Sequence, residues 1–321
     1  MRNILVTGGV GFIGTNFCLL AASKGHKITI LDNLSRKGVE KNLPIIKKLK
    51  AVTFKKFDLR KPIPTSVGKF DAIVHLASSC STPKSLEYPM DDFLDNALST
   101  LNVLEYARLN GKIPVIYGST CKVYTTEINK LKTKKFNEFS PTEAKGIYSR
   151  APYGCSKYTG DIYCQEYFTT YGVPTVINRM SAVFGKYQRG SPESGFLYWF
   201  IKAKKFGLPI EIYGNGNQVR DMVWGEDIAE LFMEQLENIN KHKGQIYNIG
   251  GGFKNAISLN QAVKYLNNKG GKPLEIKKLP TRPADLEVYI SDLTKITKNS
   301  NWIPKTSVYD GIDMLMDEKD L

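Results

Sequence analysis

Tyr153 and Lys157 stand four residues apart in Ala151-Pro152-Tyr153-Gly154-Cys155-Ser156-Lys157, a spacing that places both side chains on one helical face. A free phenol titrates near pH ~10 and is a poor base at neutrality. An ammonium group beside it favours the phenolate, so the pair suits proton exchange with a hydroxyl or a carbonyl. In a chain with 17 tyrosines such a pair also arises by chance, and its meaning depends on its surroundings. Ser119 and Thr120 follow an apolar run and can donate a hydrogen bond to the same substrate oxygen; Thr120 is our choice. Cys121 adjoins it, but one thiol without a histidine partner is not an activated nucleophile and reads as structural.

Upstream, Ile4-Leu5-Val6-Thr7 runs into Gly8-Gly9-Val10-Gly11-Phe12-Ile13-Gly14. Two glycine registers fit, Gly9/Gly11/Gly14 and Gly8/Gly11/Gly14. Either permits a tight turn, lets the backbone approach a pyrophosphate and opens a helix at Phe12 and Ile13 whose N-terminus stabilises the anion. Asp32 and Asn33 end the next strand, with Asp32 18 residues beyond Gly14. A carboxylate there accepts both ribose hydroxyls of NAD and repels the 2′-phosphate of NADP, although Arg36 and Lys37 leave NADP some room. Asp58 and Leu59 end a third strand, where Asp58 suits an adenine edge. Leu76 and Ala77 end a fourth, where the dinucleotide crosses. His75 reads as an orienting or packed residue, and Asn96 as either a polar helix residue or a buried bridge. With NAD in place, the positive nicotinamide adds to Lys157 in favouring a Tyr153 phenolate, and Lys157 can also hold the nicotinamide ribose.

These residues need a parallel sheet to position them. Short β-branched runs at 4–7, 27–31, 52–57, 72–76, 113–117 and 175–177 alternate with helical patterns at 13–23, 92–109 and 156–171, the signature of βαβ units. Ligands of such sheets sit at the carboxyl ends of the strands. After residue 180 the alternation gives way to loops rich in Gly and Pro, with helical pieces at 195–205, 226–236, 259–267 and 307–316. The expected fold class is α/β, a Rossmann doubly wound parallel sheet with a smaller C-terminal substrate-binding domain. The NAD-binding part spans 1–180 with a returning segment near 220–248, and the second part spans 181–321.

Composition narrows the alternatives. The 321 residues are 42% hydrophobic and carry 45 Lys+Arg against 31 Asp+Glu, a formal net charge of +14. Lysine-rich pieces at 47–56 and 130–135 are interleaved with apolar residues and accompany no nucleic-acid-reading motif, so the charge reads as solvated surface with an attraction for anions. No partnership with nucleic acid or membrane is expected. No apolar run reaches the roughly 18 residues of a membrane span, and no signal-peptide pattern opens the chain; a cytoplasmic location is expected. Five scattered cysteines without a CxxC pair and only three histidines argue against a disulfide scaffold, a metal site or a histidine triad.

At Gly8 to Gly14, Asp32, Asp58, His75-Leu76-Ala77, Asn96, Thr120, Tyr153 and Lys157 the chain resembles the extended short-chain dehydrogenases/reductases, the NAD-dependent epimerase/dehydratase family of nucleotide-sugar enzymes. Further resemblance lies in 214–221, Asp227, 248–251 and 282–285. It implies that Arg220 and Arg282 grip the pyrophosphate of a sugar nucleotide, and that the protein is a homodimer through helices 92–109 and 156–171. Segments 32–38, 119–124, 152–157 and 214–221 are most similar to a branch that inverts C2 of a CDP-linked sugar, so a CDP-sugar is the favoured substrate. Two positions depart from the family pattern: Thr125 replaces a glycine, and Ala182 replaces an asparagine. Similar 4,6-dehydratases carry Asp-Glu directly after the catalytic threonine, where this chain has Cys121 and Lys122. The resemblance therefore implies reversible oxidation at one carbon rather than loss of water. A UDP- or dTDP-sugar 4-epimerase would use the same three residues, and a non-catalytic NAD-binding regulator would have no need of them. The stretch 125–150 either shapes the sugar pocket or forms a lysine-rich surface loop.

Overall fold

The computed structural model of the protein describes residues 1–130, 135–136, 150–192, 195–282, 285–319 and 321. Seven strands make the central sheet: β1 (Asn3–Thr7), β2 (Lys27–Asp32), β3 (Val52–Lys56), β4 (Ala72–His75), β5 (Val115–Thr120), β6 (Thr175–Met180) and β7 (Gln245–Ile249). Their spatial order is β7-β6-β5-β4-β1-β2-β3, and every neighbouring pair is parallel. The chain winds outward through β2 and β3, returns to β4, and continues on the other side. The crevice at the carboxyl ends of β1 and β4 is the place where such a sheet takes its ligand.

A parallel sheet covered on both faces needs strands that are apolar throughout. β1 meets this with Ile4, Leu5 and Val6, all fully buried. Ile4 and Val6 pack with Phe17, Cys18 and Ala21 of the helix Phe12–Ser23 and with Leu231 and Phe232 of the helix Gly225–Glu237. Leu5 packs on the opposite face with Val103 and Leu104 of the helix Ser99–Leu109 and Tyr167 of the helix Ala151–Tyr171. Each such side chain contributes roughly 1.5–3 kcal/mol by leaving water. β7 comes from the second half of the chain, so the sheet is completed by residues far from its beginning.

The remaining strands build a smaller layer. Val219–Trp224 pairs in parallel with Ala182–Phe184 and Val288–Ser291, and antiparallel with Ala256–Ser258; a separate parallel pair joins Ile210–Tyr213 to Ile276–Leu279. Helices Phe196–Phe206, Leu259–Asn268 and Val308–Asp317 close a second core around Phe184, Trp224 and Ile312.

Three boundaries differ from the sequence reading. β5 begins after Pro114, which has no N–H to give a ladder, and extends through Gly118, Ser119 and Thr120, paired with Asn178, Arg179 and Met180. Thr120 is therefore the last residue of the strand. The helix expected from Ser156 begins at Ala151 with Pro152 in its first turn, where a proline's fixed φ suits the helix, so Tyr153 lies inside it. The helix expected from Asp92 begins earlier, at Pro89–Phe93, and passes through a widened π turn at Leu94–Leu98. Most of the 125–150 stretch lies outside the described residues.

Candidate active site

A cavity of about 1180 Å³ opens along the carboxyl ends of the strands, larger than the ordinary upper range of about 1,000 Å³ for a single small ligand. Its lining includes Gly8, Gly11, Phe12, Ile13, Gly14, Asp32, Asn33, Asp58, Leu59, Leu76, Ala77, Thr120, Tyr153, Lys157 and Arg220. Of the two glycine registers, Gly8/Gly11/Gly14 faces the cavity. Gly9 does not: a Cβ there would meet the Ile30 side chain at 2.7 Å.

The dinucleotide wall is made of backbone. Gly8 holds φ +69°, and a Cβ on it would lie 2.6 Å from the amide nitrogen of Ala77. A Cβ on Gly14 would lie 2.7 Å from the Cα of Gly9 and collide with the Gly8 carbonyl. Any larger side chain would fill the cradle, so the loop fits a ligand that approaches main-chain atoms closely. Asp32 accepts hydrogen bonds from the amides of Leu34 at 2.8 Å and Val10 at 3.1 Å, which fixes its carboxylate at the cavity edge. Burial raises its pKa, and these two bonds pull it back. Asp58 accepts from the amide of Arg60 at 3.0 Å. The glycine cradle, the helix N-terminus behind it and the Asp32 carboxylate together fit a dinucleotide with a free ribose diol.

The chemical wall brings β5 and the helix Ala151–Tyr171 together. Gly154 makes the approach possible, because a Cβ there would collide with the Lys122 carbonyl. Thr120 accepts a hydrogen bond from the Lys122 amide at 3.3 Å, which leaves its own proton to be donated elsewhere. Tyr153 is 9% exposed. Burial raises its pKa above that of a free phenol, a nearby Cys80 adds to this, and a hydrogen bond with Thr120 opposes it. Lys157 donates to the Gly118 carbonyl at 2.6 Å and sits 4.4 Å from the centre of the Tyr117 ring. Burial lowers its pKa to about 8. The phenol is thus protonated at neutral pH in the protein by itself.

Behind these residues lies a buried polar network. Ser119 donates to Asp161 at 3.1 Å, and Arg179 grips the same carboxylate with bonds of 2.8 and 3.1 Å. Ser119 also lines the cavity, but its hydroxyl is thereby committed, whereas Thr120 keeps a proton to donate. Removing either partner of the Arg179–Asp161 pair would strand a buried charge, a loss of about 3–5 kcal/mol. His75 is held between Thr7 at 2.7 Å and Thr100 at 3.0 Å, and burial lowers its pKa to about 3. It is a neutral, packed ring.

Two expected site residues are not on the cavity wall. Asn96 is fully buried in the π turn, donating to Asp92 at 3.1 Å and to Ser156 at 3.0 Å, and so ties the helix Ala151–Tyr171 to its neighbour. Arg282 lies 3.6 Å from the centre of the Tyr213 ring, outside the lining. Its guanidinium has found an aromatic face in place of the cavity. Arg220 does line the cavity, paired with Asp285 at 3.0 Å; Lys122 lies 3.7 Å from the same carboxylate. Pro283 and Ala284 of the 282–285 segment lie outside the described residues. Cys80, Lys122, Gln188, Arg189 and Lys202 also line the cavity and were not foreseen. Position just beyond the carboxyl end of a parallel strand was the one available signal, for Gln188 and Arg189 after Ala182–Phe184.

Comparison with known proteins accords with this geometry. The NAD dependent epimerase/dehydratase family matches residues 4–250. The chain is 34% identical to CDP-paratose 2-epimerase of Salmonella typhi, covering 98% of each chain. Among solved structures, UDP-glucose 4-epimerase of Thermus thermophilus, in complex with NAD, superposes with a TM-score of 0.83 at 28% identity over 98% of both chains. A dTDP-glucose 4,6-dehydratase of Streptomyces venezuelae, with NAD bound, gives 0.86 at 27% identity over 98% of this chain and 95% of its own. The chain belongs to the NAD dependent epimerase/dehydratase family and is an enzyme of that family.

Proposed function

We propose, from membership of that family, that this chain inverts one carbon of a nucleotide-linked sugar through a transient keto sugar, with NAD as its bound cofactor and a CDP-sugar as substrate, in the manner of CDP-paratose 2-epimerase. The observation that carries the reading is that Thr120, Tyr153 and Lys157 line the same cavity as the glycine turn, with the Tyr153 phenol hydrogen-bonded to Thr120. When bound, NAD supplies a reversible hydride acceptor and a positive ring that favours the phenolate. Tyr153 then takes the proton from the sugar hydroxyl as the carbon beneath it is oxidised. Thr120 donates to the same oxygen, and its acceptance of the Lys122 amide orients that donation. Lys157, anchored on the Gly118 carbonyl in the same cavity lining, would supply the positive charge that favours the phenolate. After the keto sugar presents its other face, Tyr153 returns the proton and the stereocentre is inverted.

Cys121 and Lys122 stand where loss of water would call for an acid and a base. Cys121 is buried, with its pKa raised mainly by burial, and Lys122 pairs with Asp285. Neither supports dehydration. The 4-epimerase reading keeps the same three residues and is favoured by the superposition with UDP-glucose 4-epimerase. NMR and mass spectrometry of products from CDP-, UDP-, dTDP- and GDP-sugars separate the two: the proposal expects inversion at C2 of a CDP-sugar, and C4 inversion of a UDP- or dTDP-sugar would replace it. No turnover with any of them would leave a binding protein.

The division of labour follows the fold, with residues 1–180 and the returning segment near 220–248 serving the cofactor and residues 181–321 the sugar nucleotide. A homodimer is supported by Phe93, Leu109, Ile162 and Tyr163, large apolar side chains exposed on the two helices expected to pair. Sedimentation equilibrium tests it; a monomer at micromolar concentration would contradict it.

A further inference from the structure

Asp92 stands on the cavity lining but belongs neither to the glycine cradle nor to the catalytic trio. It lies in the helix Pro89–Phe93, which packs against the helix Ala151–Tyr171, and is 3% exposed. Its Oδ2 accepts from the Ser156 hydroxyl, and its Oδ1 accepts from the Asn96 amide at 3.1 Å. Ser156 is the residue before Lys157, and its hydroxyl also lies 3.1 Å from the Tyr153 carbonyl. One carboxylate is therefore tied to the helical turn that spaces Tyr153 from Lys157. Burying a carboxylate is costly unless hydrogen bonds and a counter-charge meet it. The two bonds are in place, and the surrounding charges identify the counter-charge.

Asp91 and Asp95, on the same helical stretch, are taken by Arg60 at 3.3 and 2.9 Å. Burial raises the Asp92 pKa; the Ser156 bond lowers it, Asp95 raises it, and Lys157, on the facing helix, is the cation that lowers it. On the Lys157 side, burial lowers the pKa to about 8, and the thiols of Cys164 and Cys80 and the carboxylates of Asp161 and Asp92 oppose this. Asp161 is already gripped by Arg179, and burial keeps the Cys164 thiol protonated. Among the described residues, Asp92 is thus the carboxylate near Lys157 that serves no other cation. Tyr153, whose pKa burial raises, is raised further by Cys80, Cys121 and Asp92. An ionised Asp92 therefore holds back the loss of a proton from both members of the pair.

We propose that Asp92 is a positioning residue for the Tyr153/Lys157 pair: through Ser156 its carboxylate fixes the turn between them, and its charge is the counter-charge of the Lys157 ammonium. The inference rests on the epimerase reading above and assigns part of the pH range of that reaction to a residue outside the trio. A negative charge nearby favours the ammonium, so without it Lys157 gives up its proton at lower pH. The alkaline fall in kcat/KM then begins earlier.

The test is the pH dependence of kcat/KM for the NAD-loaded protein and for Asp92→Asn, Ser156→Ala and Cys80→Ser, with whichever of the CDP-, UDP-, dTDP- and GDP-sugars is inverted. Asparagine keeps the hydrogen bonds: its oxygen accepts from Asn96, its amide donates to Ser156, and the Ser156 proton turns to the Tyr153 carbonyl. Glu166→Gln, exposed further along the same helix, removes the same charge as a control. The expected result is a shift of the alkaline limb to lower pH by about half a unit or more in Asp92→Asn, with NAD content unchanged and the limb unmoved in the control. Ser156→Ala, which loses the bond and keeps the charge, should lower kcat without moving the limb. An unmoved limb in Asp92→Asn would overturn the inference and leave the proposed reaction standing, since Asp92 would then only hold the helix. A limb that moves in Cys80→Ser and stays in Asp92→Asn would overturn it by giving the charge to that thiol. Should Asp92→Asn not fold, Asp92→Ser, uncharged and smaller, decides in its place. If no nucleotide sugar is turned over, the inference and the proposed function fail together.

Discussion

On the dinucleotide wall the ligand-facing surface is mostly main chain, shaped by the absence of side chains at Gly8, Gly11 and Gly14 and by one carboxylate, Asp32. Elsewhere in the same lining it is mostly long charged or polar side chains, Arg220, Gln188, Arg189 and Lys202, drawn from separate segments of the second half. The first surface is specified by steric exclusion within a few consecutive residues. The second depends on how distant elements pack, and small changes in packing decide which cation reaches the cavity. Arg282, stacked on Tyr213, shows how readily such a side chain finds another partner.

The contrast can be broken first at the backbone wall. Gly14→Val should abolish NAD retention and with it all turnover, read as loss of cofactor released from the denatured protein, because the added side chain collides with the Gly8 carbonyl. Between the two walls, Thr120→Val should lower kcat on the order of 100-fold with NAD still bound, since a donor to the developing oxyanion is lost. Full kcat in that variant would remove Thr120 from the chemistry.

Lys157 sharpens the comparison through pH. Its pKa is lowered to about 8, so its positive charge is present below that value and is lost as pH rises through it. Support for the phenolate is lost with it, and kcat/KM should fall on the alkaline side of about pH 8. Lys157→Arg, charged throughout, should move that limb upward even where its absolute rate is lower. An unmoved limb would assign the ionisation elsewhere. The smallest effect is expected outside the lining, where Arg282→Ala should change KM by less than about threefold, a difference under about 1 kcal/mol. A large rise would mean that Arg282 leaves Tyr213 when substrate binds.

The same contrast explains what could be read in the sequence. The six strand runs, the glycine turn, Asp32 and the Tyr153/Lys157 pair are local patterns, and the fold repeats them with boundary shifts of a few residues. The short strands of the second half were missed because three to six alternating residues among Gly and Asn carry little periodic signal. Asn96 was left between two readings because burial in a π turn depends on Asp92 and Ser156 across the helix pair. Gln188 and Arg189 were missed because their setting is made by Asn42, about 145 positions away in the chain and joined to them only by folding.

The central claim is that oxidation and reduction occur at one carbon, with the same hydrogen removed and returned within the cavity. A sugar nucleotide carrying deuterium at the inverted carbon, turned over in ordinary water and followed by mass spectrometry, tests it most directly. The account predicts an inverted product that retains the deuterium. Inverted product with that deuterium exchanged for solvent hydrogen would mean that the carbon loses a proton rather than a hydride, and would contradict it.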